Sequence, residues 1–132
     1  MSVKQLITHA VTASILSIAA CLIYNQIYSS ALDLDFSRVL NVGGIIGASV
    51  LSCLLMSLSY YFIYRWNNGK GLAWVNILIA VVSFATVMAP LAAQLPVDLD
   101  SPELFPGLAI PMHFFPALSF FTIAPFFKYK TN

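Results

Sequence analysis

The chain has 132 residues, 60% of them hydrophobic and 8% charged, and its mean hydropathy is +0.87. Soluble domains carry about 25% charged residues, so this composition excludes a mainly water-facing surface and points to lipid as the solvent. A net charge of +1 gives no basic field for nucleic acid, and the length suits one small membrane domain with too little polar sequence left for a soluble one.

After a short polar start with one cation, Lys4, residues 6–28 form the first apolar run. At about 1.5 Å per residue such a run crosses a hydrocarbon core roughly 30 Å thick. Ala10, Ala13, Ser14, Ser17 and Ala20 recur within it at helical spacing, and small side chains let a second backbone come close. Tyr24 and Tyr28 stand near its far end, as interfacial aromatics do. A rival reading treats Ile18-Ala19-Ala20-Cys21 as a lipoprotein signal box with an acylated cysteine, or Ser29-Ser30-Ala31 as an ordinary cleavage site. The apolar run continues past Cys21 through Leu22, Ile23 and Tyr24, and a single lysine precedes it, so a retained first helix is expected.

Residues 31–38 make a loop with Asp33, Asp35 and Arg38, and residues 39–64 form the second span. Asn41 lies at its entrance. Gly43 and Gly47 form a G-x-x-x-G pair, while Gly44, Ala48 and Ser52 make a second small-residue row. Gly43, Gly47, Ala48 and Ser52 are therefore the expected helix-packing positions. Tyr60, Tyr61, Tyr64, Arg65 and Trp66 close the span as an interfacial anchor. Residues 67–71 compose a turn so short that the second and third helices must be antiparallel neighbours. The third span, residues 72–95, opens on Trp74, carries Asn76 a turn inside and is interrupted by Pro90. That proline withdraws the hydrogen bond to the Thr86 carbonyl and predicts a kink.

Residues 96–107 are the longest polar connection, with Asp98, Asp100 and Glu103. Ser101-Pro102-Glu103 reads as a helix start: a cap, a proline in the first turn and an acid at the positive end of the dipole. The fourth span, residues 108–127, holds Pro111-Met112-His113-Phe114-Phe115-Pro116 and no charge until Lys128. Under four spans, Lys4, Arg65, Lys70, Lys128 and Lys130 fall on one side and Arg38 alone on the other. The positive-inside rule then puts both termini in the cytoplasm.

Few groups in the spans carry chemistry. His113 is expected about a turn and a half into the fourth helix, and His9 near the opposite membrane surface, so the two cannot share a metal ion, and no metal site is expected. Cys21 and Cys53 lack the spacing of a metal or redox motif. No carboxylate lies within a span, no catalytic set is evident, and no cofactor is expected. Asn25, Gln26, Tyr28, Asn41, Gln94 and His113 are expected at comparable depth in the outer leaflet. Such a layer acts either as hydrogen-bonded glue between helices or, with kinks at Pro90 and Pro116, as the lining of a ligand pocket. The sequence favours glue.

Three places together resemble a family of small bacterial four-span integral membrane proteins classed as a domain of unknown function. They are the Gly/Ala-rich second span with its aromatic-basic end (residues 41–66), the segment Met88-Ala89-Pro90-Leu91-Ala92-Ala93, and the pair Met112-His113 opening the last span. The chain departs from that pattern in the prolines and phenylalanines around Met-His and in a shorter basic loop. The resemblance implies a fold and a location but no activity. The expected protein is an all-α, antiparallel four-helix bundle in a bacterial inner membrane, a single domain with membrane lipids as neighbours. Its leading function is non-enzymatic packing in a homo- or hetero-oligomeric membrane assembly. The alternative is a binder or carrier of a small apolar or amphipathic ligand, a lipid or quinone, held near His113, Asn25, Asn41, Gln94 and Tyr28. A membrane enzyme using His113 is the least supported class, since no second catalytic group accompanies it.

Overall fold

In the computed structural model, which describes residues 1–127, every regular element is a helix. The elements are α1 (Val3–Leu32), α2 (Val42–Asn67), α3 (Leu72–Thr86), α4 (Met88–Ala92) and α5 (Phe105–Ile123), with 3-10 turns at Pro102–Leu104 and Ala124–Phe126. Four helical stretches are long and apolar enough to cross a membrane: Val3–Leu32, Val42–Asn67, Leu72–Ala92 and Pro102–Phe126. The basic tail from Lys128 onward, used above for orientation, lies outside the described residues.

Local chemistry sets most of the ends. Ser2 and Gln5 form a reciprocal capping box at the start of α1: the Gln5 amide donates to Ser2 Oγ at 3.2 Å, and the Ser2 amide to Gln5 Oε1 at 2.9 Å. Asn41 caps α2 by accepting the Gly44 amide at 2.7 Å. Asp33 and Asn68 end α1 and α2 in the left-handed conformation, which short polar side chains tolerate best after glycine. Ser101 departs from its expected role. It takes the left-handed conformation and its side chain caps nothing, so Pro102 and Glu103 open a 3-10 turn instead. The Pro90 interruption is a break rather than a bend: α3 stops at Thr86 and α4 restarts at Met88, consistent with the amide that proline lacks.

Three helices make the packed body. α1 lays Ala10, Ala13, Ser14, Ser17 and Cys21 against Ser49, Cys53 and Ser57 of α2, and all eight residues are buried. Ser17 Oγ donates to Ser49 Oγ at 3.2 Å, and Ser57 Oγ to the Leu6 carbonyl at 2.8 Å. The small residues Ser49, Cys53 and Ser57 recur every four residues on α2, so the backbones approach, and the two serine hydroxyls are satisfied across the seam. α5 fills the other side with Leu108, Ala109, Met112, Ala117 and Phe120.

Both ends of this body are closed by aromatics. At one end His9 is fully buried, its ring stacked on Phe120 and Phe127 at 4.1 and 4.6 Å between centroids. His9 Nε2 donates to the Phe120 carbonyl at 3.3 Å. At the other end Phe36 and Leu99, from the two connecting loops, are buried with Phe105. An exposed Arg38–Asp98 pair at 2.8 Å joins those loops. α3 stands apart. Ile79 is its one buried residue, and Trp74, Ile77, Leu78, Val81, Val82 and Phe84 are exposed.

Candidate functional site

α3 meets α2 near the turn that joins them, where Tyr60 Oη donates to Asn76 Oδ1 at 2.6 Å. Further along it leans on α5 through Phe84 and Phe114, edge to face at 5.0 Å. Between those supports it does not close on α2, and a cleft of about 490 Å³ opens there. Its α2 wall is Gly44, Ala48, Ser52, Leu55 and Ser59, its α3 wall Leu78, Val82, Ser83 and Thr86, and its floor Met112, His113, Pro116 and Ala117 of α5. Leu55, Leu78 and Val82 at its rim are exposed, so the cleft opens on the outer surface of the helices. The volume suits a small ligand.

The polar groups of the lining fall into two sets. Ser49 is engaged by Ser17, Ser59 donates to the Leu55 carbonyl, and Thr86 donates to the Ser83 carbonyl. By contrast, the His113 ring and the Ser52 and Ser83 hydroxyls have no hydrogen bond to any described residue. Among the described residues no side-chain nitrogen or oxygen sealed away from the surroundings is left unpaired, and these three line the cleft. Pro116 adds an acceptor, since it has no N–H to give to the Met112 carbonyl one turn back.

His113 is the only one of the five residues expected around a ligand that lines the cleft. It lies midway along α5, deeper than a turn and a half, because that helix begins at Phe105 rather than Leu108. Asn41 is spent on its cap. Tyr28 Oη donates to the Leu104 carbonyl at 2.8 Å, which ties α1 to the start of α5. Asn25 is half-buried and Gln94 exposed, away from the cleft lining. Of the expected packing positions, Ala48 and Ser52 line the cleft. Gly43 and Gly47 are exposed, and a side chain added at Gly47 would meet nothing within 4 Å.

Sequence reasoning passed over two features. Ser52 and Ser59 are seven residues apart on α2, and Ser83 and Thr86 three apart on α3; each pair shares a helix face, a signal that was readable. Gly107 is the other. A Cβ there would run into the Tyr28 hydroxyl, and Tyr24 Oη donates to the Gly107 carbonyl at 2.9 Å. Pro111 leaves that carbonyl without its helical donor, and Tyr24 supplies the replacement. Among the described residues no three His, Cys, Asp or Glu side chains gather as metal ligands, and both cysteines are buried free thiols. No family model, curated protein or solved structure matches the chain.

Proposed function

We propose that the protein is a multi-pass protein of a bacterial inner membrane that holds a small apolar or amphipathic ligand in the cleft between α2 and α3. The observation that carries the reading is His113, unpaired among the described residues and opening with Ser52 and Ser83 onto about 490 Å³ of mostly apolar space. Residues serving only as interhelical glue would be bonded across helices, as Ser17, Ser49 and Ser57 are. The arrangement is an antiparallel four-helix bundle with both termini cytoplasmic. Supporting this are the paired contacts of Leu6 with Ser57 and Ser17 with Ser49, and the placement of Lys4, Arg65 and Lys70 at one end. It is of the same kind as the small bacterial four-span proteins that the sequence resembles, and it has no evident catalytic machinery.

The test is purification from native membranes in mild detergent, with mass spectrometry of the lipids that stay bound. Wild type retains a bound lipid, and Ala48→Phe, which fills the cleft from α2, loses it while keeping the same unfolding midpoint. Equal retention by both proteins overturns the reading. A second reading, an accessory role in a homo- or hetero-oligomeric assembly, draws support from the open position at Gly47 and the exposed apolar surface of α3. Crosslinking in native membranes decides it: a specific product lost in Gly47→Leu supports it, and monomer alone removes it.

A further inference from the structure

The chemistry of the cleft restricts what it can hold. The inference drawn from this rests on the ligand-binding reading above and narrows it. The lining contains no Lys, Arg, Asp or Glu. A phosphate head entering it would give up its hydration and find no cation in exchange. An ammonium head would find no carboxylate. The unpaired polar groups are instead neutral hydrogen-bonding ones, and their depth is specific. Ser52, Ser83 and His113 fall close to the midpoints of the spans Val42–Asn67, Leu72–Ala92 and Pro102–Phe126. In a bilayer this is about 15 Å from either surface, far below the plane in which phospholipid headgroups sit.

A polar site at that depth serves a molecule whose own polar head is uncharged and can leave the interface. Two hydroxyls and an imidazole each bring a donor, so a head that accepts hydrogen bonds can be held by all three. The exposed rim at Leu55, Leu78 and Val82 gives its apolar tail a way out into the acyl chains. We infer that the cleft takes a neutral lipid with a carbonyl-bearing head, seated at the bilayer midplane by His113, Ser52 and Ser83, and rejects phospholipids. Two sources share this chemistry: a quinone and an acylglycerol.

Equilibrium binding to the purified full chain in maltoside detergent, read by native mass spectrometry, tests this with three probes: decylubiquinone, dioctanoylglycerol and dioctanoylphosphatidylglycerol. Wild type is expected to bind one or both neutral probes at least tenfold more tightly than the phospholipid, and the tighter of the two names the source. His113→Leu, which removes the donor, weakens that binding about tenfold, the equivalent of one hydrogen bond. His113→Gln, which keeps an N–H donor, restores most of it, and this separates a lost bond from a disturbed fold. If the phospholipid binds as tightly as the neutral probes, or if His113→Leu and Ser83→Ala both leave affinity unchanged, the neutral-head inference is wrong. In that case loss of all binding in Ala48→Phe leaves the broader ligand-binding reading standing. If none of the three probes binds wild type, both readings fall.

Discussion

The hydrogen bond from Tyr24 to the Gly107 carbonyl offers the sharpest test of how this bundle is held together. Pro111 has no amide hydrogen, so the Gly107 carbonyl four residues earlier loses its helical donor. Tyr24 Oη, from α1, stands 2.9 Å away and fills that position. Tyr24→Phe removes the donor and keeps the ring with its edge contact to Phe115 at 5.6 Å. An unpaired carbonyl in an apolar setting costs about 1–3 kcal/mol. Interhelical hydrogen bonds in membrane proteins average about 0.6 kcal/mol and reach about 1.7. Tyr24 is half-buried, so roughly 1 kcal/mol is expected. The decisive variant is the double one. Pro111→Ala gives the helix back its amide, which then bonds the Gly107 carbonyl, and the Tyr24 hydroxyl becomes dispensable. In a double-mutant cycle Tyr24→Phe costs about 1 kcal/mol in the Pro111 background and close to nothing in the Ala background. Reversible unfolding in mixed detergent and dodecyl sulfate, followed by fluorescence of Trp66 and Trp74, reads all four corners. An equal cost in both backgrounds would refute the pairing of the tyrosine with the proline.

Three further expectations follow from the packing and the loops. Ser49→Leu forces a branched side chain into the closed α1–α2 seam and should destabilise by about 1–3 kcal/mol, whereas Gly47→Leu, at an open position, should change monomer stability by less than about 0.5 kcal/mol; the same unfolding assay ranks them, and the reverse order would mean that the two helix faces are misassigned. His9→Ala empties a fully buried site stacked between Phe120 and Phe127 and should cost about 2–4 kcal/mol, while His9→Phe, which keeps the stack but not the bond to Phe120, should recover part of it. In the loop, the Ser37 amide donates to Asp35 Oδ1 at 2.9 Å. That bond, reinforced by the Ser37 side chain and the nearby Arg38, holds the Asp35 carboxyl below its ordinary 3.8. The stabilising effect of a depressed carboxyl is present above its unfolded value and is lost as pH falls through the folded one, so Asp35 should contribute no pH dependence between about pH 5 and 8. Carboxyl NMR titration should find its midpoint below 3.8, and a midpoint at or above that value would remove the Ser37 contact from the account.

The four apolar helices were legible because lipid imposes a strong filter: a chain with this little charge has few places to put its backbone except in long helices. Asn41 at the head of the second span, the turn before Leu72 and the interruption before Pro90 were legible for local reasons, since caps, glycines and prolines act within a few residues. The small-residue pattern was legible but its address was not. Gly43-x-x-x-Gly47 is the stronger motif, yet α1 packs on Ser49, Cys53 and Ser57. In a span that is apolar on every side, periodicity does not say which face meets a helix and which meets lipid. The polar layer was only partly legible, for a related reason. A hydropathy segment does not mark where its helix starts: α5 begins three residues earlier than its apolar run, which carries His113 to the middle of its helix.

The sequence by itself determined that this chain forms helices suited to lipid, how many there are and where each is interrupted, because those properties depend on composition and on neighbours along the chain. Only the tertiary structure decided which polar groups are spent and which are free. Tyr24, Tyr28, Asn41 and His9 each found a backbone partner, two of them on a helix about eighty residues away. Among the described residues Ser52, Ser83 and His113 did not, because α3 rests on α2 near their shared turn and on α5 beyond it. Whether a hydroxyl or an imidazole is glue or lining depends on the gap left between two helices, and that gap is set by contacts far apart in the sequence.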